Sequence, residues 1–242
     1  MSDRKNSKAP ALDPHTLARL AGGLAHELKN PLSTIGLHLT LMKEDWVSGE
    51  DVKARRTIKT LDTLTREVER LNNILEDFLR FARTDTLEYA LEDINSLIDL
   101  VLKFARPEAE RVGVQVHSYL DLNLPKIWLD ARRMQQVVLN LLINSRQAIE
   151  VAEQGGNISL ISRQEGAFVV IEIVDDGPGM EADTLSHCFD VYFSTKSKGS
   201  GLGLATVRRI VEAHGGELAI ESSPKKGTKV QIRIPVSASS NE

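Results

Sequence analysis

The chain has 242 residues, 41% of them hydrophobic, which is enough for one large or two modest domains with real cores. Lys and Arg total 30 against 34 for Asp and Glu, so the formal charge of −4 gives no electrostatic reason to expect nucleic acid as a partner. The single cysteine, Cys188, excludes an internal disulfide and a cysteine-rich metal cluster; with no apolar run of roughly 20 residues and no signal-peptide core, the chain reads as cytoplasmic, without a membrane segment.

After a polar segment, residues 1–13, expected to be disordered, apolar residues recur at helical spacing from Pro14 to about Trp46: Leu17, Ala21, Leu24, Leu28, Leu32, Ile35 and Leu39. A second run, Ile58, Leu61, Leu64, Val68, Leu71 and Phe78, steps the same way. Each predicts an amphipathic helix of about 30 residues, about 45 Å long at 1.5 Å per residue. Ser48-Gly49-Glu50-Asp51 offers the turn between them, so residues 14–86 fold back as a hairpin. One apolar stripe per helix cannot be buried by a lone hairpin. Two hairpins forming a four-helix bundle bury it, which predicts a homodimer.

Within the first helix lies Ala21-Gly-Gly-Leu-Ala-His26-Glu27-Leu28-Lys29-Asn30-Pro31. Ala21, Leu28 and Ile35 form one seam position and Leu17 and Leu24 the other, which puts His26 on the outward side of the helix. A lone helical histidine is ordinarily a solvated polar residue. Here Pro31 cannot donate to the carbonyl of Glu27, so the helix should bend within a turn of His26. Glu27 can accept the proton of one ring nitrogen and leave the other nitrogen able to attack an electrophile. Asn30, four residues on, shares the face of His26.

Residues 90–236 read as a second domain of mixed helix and strand. Asp93 caps a helix over 95–111; strands follow at 114–120 and 127–129; Asp130 opens a helix to about 152. Strands at 158–162, 168–174, 217–221 and 229–234 complete an α/β two-layer sandwich, with helices on one face of the sheet. The tail, residues 237–242, is expected to fray. The whole is an α+β chain: a helical hairpin forming a dimeric bundle, then a sandwich domain.

Three blocks in this domain suggest chemistry. Val137, Val138, Leu141, Leu142, Ala148 and Ile149 mark the buried side of one helix, while Asn140 and Asn144 share another face. Paired Asn are ordinarily surface decoration, but their amide oxygens suit Mg²⁺, which takes hard donors and keeps part of its hydration. Asp175-Asp-Gly177-Pro-Gly179 follows an apolar strand; its glycines permit close backbone approach, and a carboxylate there can accept a hydrogen bond from an exocyclic amine such as that of adenine. Gly199-Ser-Gly201-Leu202-Gly203 fits neither the dinucleotide fingerprint nor a P-loop. It leads into a helix over 202–213 whose first amides can hold phosphates, with Lys196 and Lys198 nearby.

These blocks, in this order, resemble the H, N and two glycine boxes of two-component sensor histidine kinases. The resemblance implies that His26 takes the γ-phosphoryl group of ATP and that Glu27 acts as general base. Asn30 then orients water for dephosphorylating a partner. It further implies that Asn144 ligates Mg²⁺, that Asn140 stands beside the phosphates and that Asp175 contacts adenine. Gly177 and Gly179 would shape the turn around the base, and Thr228 would lie near it. Gly199, Gly201, Leu202 and Gly203 would form the lid hinge and phosphate cradle, and Phe189, Phe193, Thr195 and Lys196 resemble the family's mobile lid. Many members carry a lysine three residues after the second Asn; Gln147 stands there in this chain, leaving Arg146 or Lys196 to supply charge. The acceptor would be an aspartate of a response regulator receiver domain, and the input would come from an upstream sensor protein or a sensor region outside this sequence. Competing readings are a catalytically silent dimeric scaffold, or an ATPase of the gyrase and mismatch-repair type, which uses a carboxylate where Asn140 stands.

Overall fold

The computed structural model describes residues 28, 30–39, 41, 57, 59–68, 71–72, 74–75, 87–152, 155–196 and 201–236. The chain divides into two compact units, one made of Thr84–Phe193 with Gly203–Glu242 and the other of Ala11–Arg83 with Ser194–Leu202.

In the second unit, residues 30–39 (α1) and 59–68 (α2) are helical. Hydroxyls on both fold back onto the preceding turn: Thr34 Oγ1 donates to the Asn30 carbonyl at 3.3 Å and Thr63 Oγ1 to that of Lys59 at 2.9 Å. Leu32, Leu39, Leu61 and Val68 of the expected stripes remain about half exposed in the single chain (48–57%). The expected turn at Ser48-Gly49-Glu50-Asp51 lies outside the described residues.

The other unit follows the order β1 (Ala90–Glu92), α3 (Ile94–Glu110), β2 (Val114–Leu120), β3 (Ile127–Leu129), α4 (Ala131–Val151), β4 (Gly156–Glu165), β5 (Phe168–Asp175), α5 (Ala182–His187), α6 (Gly203–Ala213), β6 (Glu217–Ser222) and β7 (Thr228–Pro235). Two aspartates start its long helices. Asp93 Oδ1 accepts the amides of Asn95 and Ser96 ahead of α3, and Asp130 Oδ1 accepts that of Arg133 ahead of α4. Five strands form one sheet in the order β2-β4-β5-β7-β6, parallel between β2 and β4 and antiparallel elsewhere, while β1 pairs with β3 alone.

One cluster fills the space between sheet and helices: Ile94, Ile98, Met134, Val137, Leu141, Ile158, Leu160, Ile171, Ile173, Val207, Val211 and Ile232. The central strand β5 is buried on both faces from Val169 to Ile173, which accounts for its near-continuous apolar run. The one charge in that stretch, Glu172, is 2.8 Å from Arg163 and accepts from Gln231; the Arg163 guanidinium holds its carboxyl below the usual range.

The sequence signalled neither β1, whose three residues are too short to show periodicity, nor α5, six helical residues within a stretch read as a lid. Ala148, expected on the buried side of α4, is only partly buried. It stands at the rim of the glycine turn, where a Cβ on Gly177 would lie 3.6 Å from its own.

Candidate functional site

The site begins at the last residue of β5. Asp175 is 6% exposed, and its two oxygens accept three hydrogen bonds. Oδ1 takes the amides of Gly177 (3.1 Å) and Thr228 (3.2 Å), and Oδ2 takes the hydroxyl of Ser145 on α4 (2.8 Å). Burial pushes the Asp175 carboxyl above its usual range, against the opposing pull of those donors. A carboxylate has about four acceptor positions, and three are taken by donors among the described residues, so Oδ2 can accept one more hydrogen bond.

The backbone beyond Asp175 is clamped onto the turn between β6 and β7. Lys225 N donates to the Pro178 carbonyl at 2.7 Å, and Met180 N donates to Ser222 Oγ at 2.9 Å. Ser222 Oγ in turn donates to the Gly227 carbonyl and meets Thr228 Oγ1 at 3.0 Å. Gly179 and Gly227 both have φ near +70°, and a Cβ at either would run into backbone, that of Ser223 and of Asp175 respectively. Gly177 is constrained by space: a Cβ would lie 3.0 Å from Asp175 Oδ1 and 3.4 Å from Ile149. The change Gly227→Ala is therefore expected to lower stability by about 1–3 kcal/mol, as overpacking does. An unshifted urea midpoint would show that the turn relaxes around the methyl.

Asn140 and Asn144 precede Ser145 on the same helix. Asn140 Nδ2 donates to the Gly203 carbonyl at 3.4 Å, and a methyl on Gly203 would come 3.8 Å from the Asn144 amide nitrogen. Both amides thus stand at the N-terminus of α6, where the positive end of the helix dipole favours an anion. Arg146, a candidate cation, is engaged by Glu150 at 2.9 Å. Among the described residues no group of three or more His, Cys, Asp or Glu is placed to hold a metal ion. The neutral amide oxygens of α4 fit Mg²⁺ that arrives on phosphates with its own waters, not one held in a protein cage.

Asn140, Asn144, Asp175, Gly177, Gly179, Gly203 and Thr228 thus come together in one unit around α4, the end of β5 and the start of α6. Asn30 is exposed on α1 in the other unit. Lys196, Gly201 and Leu202 belong to that unit as well: Lys196 N donates to Ser194 Oγ, Gly201 has φ +66°, and Leu202 is buried. His26, Glu27 and Gly199 lie outside the described residues.

Two family descriptions match the chain. Residues 16–87 match the His Kinase A (phospho-acceptor) domain, and residues 129–238 match the histidine kinase-, DNA gyrase B- and HSP90-like ATPase family. The second alone would leave a gyrase-type ATPase open; the first, ahead of it in the same chain, decides. The chain belongs to the two-component sensor histidine kinase family. Sensor histidine kinase ZraS of Escherichia coli (strain K12) is 35% identical over 221 residues, covering 91% of this chain and 46% of its own length. Sporulation kinase E of Bacillus subtilis (strain 168) is 31% identical over 229 residues, 94% of this chain and 30% of its own length. The chain therefore spans less than half the length of these curated relatives. Among solved structures, histidine kinase ThkA in complex with response regulator protein TrrA matches with a TM-score of 0.72 and 25% identity, over 94% of this chain and 64% of that one.

For a histidine kinase chain, two contributors to this site went unread in the sequence. Ser145 sits four residues after Leu141 and four before Ile149, a hydroxyl interrupting an apolar stripe, which is itself the signal that a buried acceptor waits for it. Gly227 lies beside Thr228, yet nothing local announces its contact with Asp175, 52 positions earlier in the chain. No described helix is long and apolar enough to cross a membrane.

Proposed function

We propose that this chain is an ATP-dependent protein histidine kinase with two working parts, residues 14–86 carrying the phospho-acceptor and residues 90–236 holding the nucleotide. The observation that carries the proposal is Asp175. It is a buried carboxylate with its orientation fixed by Ser145, Gly177 and Thr228 and with an acceptor position left for the exocyclic amine of adenine. Asn140, Asn144 and Gly203 are assigned to the phosphate side on their grouping at the start of α6, and Lys196, Gly199, Gly201 and Leu202 on their place in the chain just ahead of it. Mg²⁺ supplies charge neutralisation of the phosphates, with Asn144 as its protein ligand. A ring nitrogen of His26 attacks the γ-phosphorus, the bond to ADP breaks, and Glu27 takes up the ring proton on the other nitrogen. The phosphoryl group passes next to an aspartate carboxylate of a response regulator receiver domain, a partner supported by the complex of ThkA with TrrA.

Half-exposed Leu32, Leu39, Leu61 and Val68 support a homodimer, in which a second hairpin covers the stripe. Because the relatives are more than twice as long as the match in ZraS, the input belongs to a sensor region or an upstream sensor protein. The reaction is assigned to the cytoplasm, where ATP and a reduced Cys188 are both at home.

Asn30 tests the partner side of the reading. It is exposed on α1, one helical turn beyond His26 in sequence, so its amide can align water on a docked phospho-aspartate. The Asn30→Ala protein is expected to keep most of its phosphohistidine while losing dephosphorylation of a receiver domain whose own hydrolysis is slow. Equal dephosphorylation by both proteins would assign that activity to another group.

A further inference from the structure

The residues that begin the sheet unit are bonded to both helices of the nucleotide site, at the ends remote from the nucleotide. His214 follows α6 and is 6% exposed. Its Nδ1 lies 2.7 Å from the Ile210 carbonyl, which only accepts, so Nδ1 carries the proton; its Nε2 accepts the amide of Asp130 at 3.0 Å. Asp130, the cap of α4, is 7% exposed, and its Oδ2 accepts the amide of Glu88 at 3.0 Å. Tyr89 donates its hydroxyl to the Ala213 carbonyl, the last residue of α6, at 3.0 Å and sets its ring edge-on to His214 with centroids 5.5 Å apart. Glu88 thus holds the start of α4, and Tyr89 the end of α6. Burial holds the His214 ring below its ordinary pKa, in keeping with the neutral form that this pattern requires.

At the candidate phosphate cradle the two helices meet again: Asn140, midway along α4, donates to Gly203 at the start of α6. The eleven residues of α6 span about 16 Å, with the cradle at one end and Tyr89 at the other. Packing alone would not need a buried aspartate and histidine here, since buried polar groups cost free energy unless every partner is present. We propose that Tyr89, Asp130 and His214 are positioning residues that fasten α4 and α6 to the strap at residues 87–89, so that filling the nucleotide site tightens the strap. The strap continues the segment that matches the phospho-acceptor domain, which ends at residue 87, so it is a covalent route by which nucleotide occupancy is felt outside the sheet unit. This inference rests on the nucleotide reading of the site.

The Glu88 amide reports the strap directly, because its hydrogen exchange requires the bond to Asp130 to open. Exchange is followed by NMR on the full chain, with and without saturating ADP and Mg²⁺, and ADP affinity is measured by calorimetry. ADP is expected to slow Glu88 exchange about threefold to tenfold, the scale of one hydrogen bond. In Tyr89→Phe, which removes only the hydroxyl, the slowing disappears and ADP affinity falls by up to the same factor, as linkage between the two sites demands. A Glu88 amide that exchanges equally fast with and without bound ADP in the unaltered protein overturns the proposal, and needs no variant. Equal slowing in Tyr89→Phe overturns the role of that residue. A failure of ADP to bind at all would instead remove the nucleotide reading beneath it.

Discussion

Asp175→Asn is expected to lower ATP affinity about 10- to 100-fold, the ~1.5–3 kcal/mol of a hydrogen bond to a charged group. The amide oxygen can keep the Gly177 and Thr228 amides, which both point at Oδ1, but the amide nitrogen then occupies the place of Oδ2. Ser145 can rotate to accept from it, whereas an adenine amine would meet a donor where it needs an acceptor. Loss of affinity need not bring loss of fold. With its folded pKa raised by burial, Asp175 stabilises the protein below the pKa of the unfolded carboxyl, and that contribution is lost as pH rises through the raised value. At neutral pH the charge is thus a cost, offset by its donors, and the neutral amide relieves it. Calorimetry with ATP at neutral pH checks the prediction; an unchanged affinity would take Asp175 out of base recognition.

The second large effect concerns the acceptor of the phosphoryl group. His26→Gln is expected to abolish autophosphorylation while leaving ATP affinity within about twofold, because substitutions remote from a ligand's own contacts usually change its binding by ~0.5 kcal/mol or less. Ser145, Asp175, Gly177 and Thr228, the residues proposed to hold the base, belong to one compact unit and residue 26 to the other. Labelling that persists in His26→Gln, measured with γ-labelled ATP, would move the acceptor elsewhere.

Much of the sheet unit is legible in the sequence because its signals are local. Asp93 and Asp130 precede apolar periodic runs and cap α3 and α4, and the β-branched run Val169-Val-Ile-Glu-Ile173 can only be an interior strand. Asp175, Asn140 and Asn144, singled out in the sequence by residue type, do fall in one unit around α4, the end of β5 and the start of α6. What stayed hidden depends on pairs far apart in the chain. Ser145 gains meaning only when β5 brings Asp175 beneath α4, Gly227 only when β7 pairs with β5 so that Asp175 faces Thr228, and His214 only when α6 runs back to Asp130. Asp176 illustrates the reverse. Adjacent to Asp175 and of the same chemistry, it is tied by both oxygens to Asn157 and serves the turn, a distinction that the dipeptide does not encode.

The central claim, phosphoryl transfer from ATP to a histidine nitrogen of this chain, is tested most directly by the chemistry of the bond formed. A phosphorus–nitrogen bond to imidazole is lost in acid and survives alkali, whereas serine and threonine phosphates behave in the opposite sense. Incubation of the full chain with γ-labelled ATP and Mg²⁺ should give protein-bound label that survives alkali, disappears in acid and maps to the peptide containing His26. Label that withstands acid, or none on a protein shown to bind ATP, would contradict the account.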